Sequence, residues 1–136
     1  MGSQLQIAVS QEQGRIPVTV FHLSGEIDAD TYQELEKQAR AAYQAGSRAL
    51  VLDLAKVTYM SSAGLRALHT IFTIFRAATP DQTDAEVRQG VVAGTYMSEQ
   101  LKLLNPKPAV LEVIKTAGFD MFLEIHHKLK DAIASF

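Results

Sequence analysis

Ala49-Leu-Val-Leu-Asp-Leu54, followed four residues later by Tyr59-Met-Ser-Ser-Ala-Gly-Leu-Arg-Ala-Leu68, decides how this chain folds. The first run is almost continuously apolar, as in a central strand covered on both faces. In the second run and just beyond it, Leu65, Leu68, Ile71, Phe72 and Phe75 fall on one helical face. That helix is predicted to reach about Ala78, where Thr79-Pro80-Asp81 stops it. A strand therefore leads in and a helix leads out, with two adjacent serines and a glycine between them. The first N–H groups of a helix have no intrahelical partner. A hydroxyl at such a junction sits where a negative charge is favoured.

Upstream, Leu5-Gln-Ile-Ala-Val-Ser10 alternates apolar and polar residues, the pattern of a half-buried strand. Gln11 to Arg15 is polar, contains Gly14 and reads as a turn. Ile16 to Leu23 is rich in β-formers, with Pro17 allowed only near the strand's start or on an edge. These two strands are expected to form an antiparallel hairpin. Ser24-Gly25-Glu26-Ile27-Asp28 reads as a connection, in which Gly25 suits a turn or a close backbone approach. Asp28 or Asp30 is placed to cap a helix from about Thr31 to Ala45. Tyr32, Leu35 and Ala39 give that helix its period, and Gly46 stops it.

Downstream, residues 98–104 are expected to hold a fourth strand ending in Leu101, Leu103 and Leu104. Asn105-Pro106 turns into a helix over about Pro108–Thr116, with Gly118 at its C-terminal end. Met121 to Ile125 is read as a short last strand and His127 to Ser135 as a last helix. The predicted order is ββαβα–insert–βαβα, the insert lying at about residues 78–97. This is a single α/β domain over residues 1–136, a mixed sheet with helices packed against it.

At 136 residues the chain is long enough to bury a core without staples. It has no cysteine, which excludes disulfides, thiolate metal sites and a cysteine nucleophile. The net charge is −2, with no basic run of the kind that nucleic-acid binding requires. No apolar run is long enough to span a membrane, and the N-terminus lacks the pattern of a signal peptide. The expected setting is cytoplasmic, with neither nucleic acid nor membrane as partner.

The junction admits two readings from its residues. Ser61 or Ser62 can cap the outgoing helix, accepting a hydrogen bond from an N–H two or three residues ahead. Alternatively, one serine accepts a phosphate, which adds about −2 charge to an exposed edge and alters partner binding. Gly64 lets a partner backbone approach or eases the turn. Asp28 is either a local cap or a carboxylate on the same rim as the serines, because both follow strands expected to point the same way. A serine nucleophile is poorly supported. No Gly-x-Ser-x-Gly elbow surrounds either serine, and His69 lies about two turns into the helix. The His126-His127 pair matches no metal-ligand spacing. No phosphate-binding or dinucleotide loop is present, so no cofactor is expected.

Leu23-Ser24-Gly25-Glu26-Ile27-Asp28, Leu52-Asp53-Leu54 and Val57-Thr58-Tyr59-Met60-Ser61-Ser62-Ala63-Gly64-Leu65 resemble the STAS domains of bacterial anti-sigma factor antagonists. Leu104-Asn105-Pro106 and Thr116-Ala117-Gly118-Phe119 also stand where such a domain would have them. The resemblance implies a non-enzymatic partner switch. The unphosphorylated protein binds an anti-sigma factor serine kinase, which phosphorylates it and lets it go, and a PP2C-type phosphatase resets it. Aligned on Gly64-Leu65, the modified serine is Ser62. Asp28, Ser61, Ala63, Gly64 and Leu65 then form the docking rim. Ser61 stands where the family usually has Asp, and Ala63 where it has Ser or Thr. The expected state is a monomer or weak homodimer. The alternatives are a STAS scaffold or accessory subunit of a larger regulatory or transport assembly that is never phosphorylated, a small serine hydrolase, and a small-ligand sensor.

Overall fold

The computed structural model describes residues 4–76 and 97–136. The predicted reach of the second helix to about Ala78, its predicted stop at Thr79-Pro80-Asp81 and the predicted insert up to residue 96 lie outside the described residues. Five strands, β1 (Leu5–Gln13), β2 (Pro17–Ile27), β3 (Leu50–Met60), β4 (Leu101–Leu104) and β5 (Ile125–His126), form one sheet in the order β1-β2-β3-β4-β5. β1 and β2 pair antiparallel, whereas β2–β3, β3–β4 and β4–β5 are parallel. The mixed sheet with a parallel later part is thus as the element order predicts.

Among the described residues the α-helices are α1 (Tyr32–Gln44), α2 (Ser62–Arg76), α3 (Pro108–Thr116) and α4 (Leu129–Ala134). The main core joins one face of the sheet to α1, α2 and α3. Phe21, Leu23, Leu50, Leu52 and Leu54 from the strands meet Leu35 and Ala39 of α1, Leu68, Ile71 and Phe75 of α2, and Val110 and Ile114 of α3. The ring of Tyr43 meets that of Phe75 edge-on at 5.5 Å, which locks α1 against α2. The opposite face carries a smaller core. There Val18, Val20, Ala49, Val51 and Leu104 are capped by Ala132 of α4 and by Phe136. Burial on both faces explains the apolar run Ala49–Leu52 that opens β3, and Asp53 breaks the run where its side chain is partly exposed.

Three local departures from the sequence reading have tertiary causes. Residues Ser24–Ile27, read as a connection, continue β2. β3 likewise runs past Leu54 to Met60. The two segments support each other: Gly25 pairs with Val57 after one shift in register, and Glu26 with Tyr59 and Ile27 with Met60 after a second. Lys56, Thr58 and Tyr59 are exposed, so no apolar run announces this extension. Gly25 has φ +117°, and its missing side chain leaves room for the Gln4 carbonyl. Finally, Phe119–Met121 is a turn of 3-10 helix, and β5 begins only at Ile125. The Phe119 carbonyl accepts from Phe122 N at 3.2 Å and from Leu123 N at 3.0 Å. That turn sends Phe119 and Phe122 together toward the core, their rings 5.2 Å apart, where a strand would have pointed residues alternately.

Candidate functional site

Because β2 and β3 are parallel and Ile27 pairs with Met60, the residues that follow them emerge side by side at one end of the sheet. The strands are tied there by Ser61 N–H donating to the Ile27 carbonyl at 3.0 Å. Asp28 and the serine pair thus share one rim.

On the β2 side the chain turns at Asp28. Its Oδ1 accepts from the Asp30 N–H at 2.9 Å, and its carbonyl accepts from the Tyr32 N–H at 2.9 Å. Neither Asp28 nor Asp30 is the N-cap of α1; Thr31 holds that position. The Thr31 hydroxyl is buried, accepts from the Asp28 N–H at 2.9 Å and donates to the Glu26 carbonyl at 2.8 Å. The Asp28 side chain thus shapes its own turn and remains partly exposed.

On the β3 side the two serines separate in role. Ser61 Oγ accepts from Ala63 N at 3.2 Å and from Gly64 N at 3.4 Å. It is a side-chain cap, satisfying donors that the first turn of α2 leaves open. Ser62 is the first residue of α2 and is exposed. Its hydroxyl bonds to nothing among the described residues. Ala63 is half-buried, and Leu65 packs against the main core. Gly64 is buried and turned inward. A Cβ there would lie 2.7 Å from the Ile27 carbonyl oxygen and 2.7 Å from Met60 Cγ. Its place in the rim is therefore to let α2 sit directly on the ends of β2 and β3. Exposed Tyr59, Lys56 and Arg66 surround this junction in sequence.

Serine is one of several residue types able to make this cap. Ser and Asp are N-caps of similar strength. What differs is charge, since the serine cap adds none beside Ser62.

A second constellation escaped sequence reading. His22 Nδ1 lies 2.8 Å from Asp53 Oδ2, and His22 Nε2 lies 2.9 Å from Ser10 Oγ. Asp53 Oδ1 in turn accepts from the Ala55 N–H at 3.1 Å. The three side chains come from three adjacent strands, on the sheet face that α4 leaves open. Nothing local links residues 10, 22 and 53; only the pairing register does, with Ser10 opposite Val20 and His22 opposite Asp53. The order of atoms is that of a serine-hydrolase triad, but a reacting carbonyl also needs N–H donors aimed at its oxygen. Strand N–H groups lie in the plane of the sheet and not over its face. The chain of bonds holds β1, β2 and β3 together.

The sequence profile of the STAS domain matches residues 8–79, more than half of the chain. This protein belongs to the STAS domain family. A relative in Bordetella bronchiseptica, BtrV, named provisionally as an anti-sigma factor antagonist, is 29% identical over 114 residues, 84% of this chain and 82% of BtrV. The crystal structure of an anti-sigma factor antagonist from Mycobacterium paratuberculosis superposes with a TM-score of 0.68 at 26% identity, covering 97% of this chain and 93% of that one. The anti-sigma factor antagonist SpoIIAA of Bacillus, in its unphosphorylated form, matches with a TM-score of 0.65 and covers 93% of each chain. At 18% identity that likeness speaks to the fold. This STAS domain is thus homologous to anti-sigma factor antagonists, which are regulatory binding proteins and not enzymes.

Proposed function

We propose that this STAS domain is a cytoplasmic anti-sigma factor antagonist whose binding is switched by phosphorylation of Ser62. In its unmodified form it docks an anti-sigma factor serine kinase on the rim formed by Asp28, Ser61, Ser62 and Ala63, with buried Gly64 and core-packed Leu65 holding the start of α2 in place beneath it. Phosphate on Ser62 adds about −2 charge at the centre of that rim and ends the complex. A PP2C-type phosphatase restores the binding form.

The observation that carries this reading is the division of labour between the serines. The Ser61 hydroxyl is engaged at 3.2 and 3.4 Å by backbone donors, while the neighbouring Ser62 hydroxyl is exposed and unengaged. A kinase that modified Ser61 would have to dismantle a helix cap; at Ser62 it meets no such cost. The start of α2 also favours a bound anion. SpoIIAA, which shares the fold, exists in phosphorylated and unphosphorylated forms.

The test is to incubate the protein with its kinase and ATP and to locate phosphate by mass spectrometry. Phosphate is expected on Ser62 and absent from Ser62→Ala. Ser62→Asp is expected to bind the kinase more weakly than wild type. Undiminished phosphorylation of Ser62→Ala, or kinase binding indifferent to Ser62→Asp, would sink the switch and favour a constitutive scaffold.

A further inference from the structure

The outer edge of β1 has no partner among the described residues. Which of its backbone groups face outward follows from the two ends of the β1–β2 ladder. At one end Glu26 N–H donates to the Gln4 carbonyl, and at the other Gly14 N–H donates to the Ile16 carbonyl. The register between them is unbroken, from Leu5 opposite Gly25 to Gln13 opposite Pro17. Hydrogen-bonded pairs alternate along an antiparallel ladder. The even-numbered residues of β1 therefore exchange bonds with β2. Leu5, Ile7, Val9, Gln11 and Gln13 point their N–H and C=O groups away from the sheet.

Natural sheets guard such an edge with lysine, proline, a bulge or brevity. β1 has none of these. It runs for nine residues, reads LQIAVSQEQ, and carries Glu12 as its one charge. Two exposed large apolar side chains lie on the same hairpin, Val9 at 50% and Ile16 at 41% exposure. Beside them runs a groove of about 650 Å³ whose lining includes Val9, Ile16, Pro17, Ala41, Ala42 and Ala45.

We infer that β1 is a self-association edge, and that its occupant is β1 of a second copy, antiparallel and centred on Val9. This register is selected by the backbone. Centred on Val9, Ile7 faces Gln11 of the second copy and Leu5 faces its Gln13, so every outward-pointing residue meets another. The pair gains about ten backbone hydrogen bonds, two from each facing pair. Shifting the centre to Ala8 or Ser10 leaves outward groups at the strand ends without partners. Charge agrees with the same register, because Glu12 then faces Gln6 of the second copy and no like charges oppose. The two-fold axis is perpendicular to the sheet, so both apolar grooves lie on the same side of the joined sheet. Val9 of each copy covers the other. The second sheet is inverted relative to the first, and the two Ser62 rims point to opposite ends, each open to its own partner.

The absence of cysteine makes the test clean. Facing residues of a hydrogen-bonded antiparallel pair have Cα atoms about 5.5 Å apart, inside the roughly 4.4–6.8 Å range that a disulfide spans. Val9→Cys is expected to form a covalent dimer under mild oxidation. Gln6→Cys alone and Glu12→Cys alone should not, while a mixture of the two should cross-link to each other. In sedimentation equilibrium the wild type is expected to dimerise reversibly, with Val9→Lys raising the dissociation constant at least roughly tenfold. A wild type that stays monomeric at all attainable concentrations would overturn the inference. So would Val9→Cys cross-linking no faster than Gln6→Cys, or a dimer untouched by Val9→Lys.

Discussion

Gly64→Ala probes how the rim is held. The added Cβ would sit 2.7 Å from the Ile27 carbonyl oxygen, 2.7 Å from Met60 Cγ and 3.1 Å from Ile27 Cγ2. Met60 is unbranched and can rotate aside. The Ile27 carbonyl cannot, because it is backbone at the end of β2 and accepts the Ser61 N–H at 3.0 Å. Relief must come from lifting the first turn of α2. Two terms then oppose. Alanine is better than glycine in a helix interior by about 1 kcal/mol, and by less in the first turn. Overpacking costs about 1–3 kcal/mol, and disturbing the Ser61 cap adds up to about 1 kcal/mol. Overpacking wins, and the net loss is about 1–3 kcal/mol. In urea unfolding followed by circular dichroism, the midpoint should fall while the m-value stays unchanged. The melting temperature should drop by about 3–5 °C for each kcal/mol lost in a domain of this size. A Gly64→Ala protein as stable as wild type, or more so, would refute the argument that this glycine exists for close packing.

Three other outcomes follow from the geometry. Ser61→Ala should lose about 1 kcal/mol with the cap, Ser61→Asp should retain wild-type stability, and Ser62→Ala should stay within about 0.5 kcal/mol; urea midpoints of the three variants test this ordering. Lys102 is buried on β4, with Nζ 2.9 Å from the Ser135 carbonyl, 3.2 Å from Glu124 and 4.6 Å from the centre of the Phe136 ring. Lys102→Ala should cost about 3 kcal/mol by opening a cavity, whereas Lys102→Met, which keeps the volume, should cost clearly less, since the Glu124 left behind is 35% exposed and still meets His126 at 3.0 Å; thermal melts of both compare them. A double-mutant cycle on His22 and Asp53 should give a coupling of only about 0.5–1 kcal/mol, because their side chains are 37% and 21% exposed.

Local pattern carried the elements with strong periodicity. The β3 core, the apolar face of α2, the helix α3 and the start of β2 beside Pro17 were all legible, because each is announced within a few residues by period, run or turn chemistry, whereas polar Gln11–Gln13, read as turn, continue β1. The extension of β2 and β3 toward the rim was not, because Lys56, Thr58 and Tyr59 are exposed and only their ladder with Gly25–Ile27 makes them strand. Met121–Ile125 misled for the opposite reason. It is apolar enough for a strand, but the turn centred on Phe119 puts successive aromatics on one side.

At the rim, sequence by itself placed a serine pair and a glycine between a buried strand and an amphipathic helix, and the STAS motif singled out Ser62. It left Ser61 and Ser62 interchangeable as caps, since two adjacent hydroxyls before a helix look alike along the chain. Tertiary structure separated them. The bond from Ser61 N–H to the Ile27 carbonyl fixes the phase at which α2 begins, and phase decides which hydroxyl turns back onto the helix and which faces out. The same distinction holds for Ser10, His22 and Asp53 and for the outward groups of β1. Periodicity is a property of neighbours along the chain, whereas strand register is set by partners far from it in sequence.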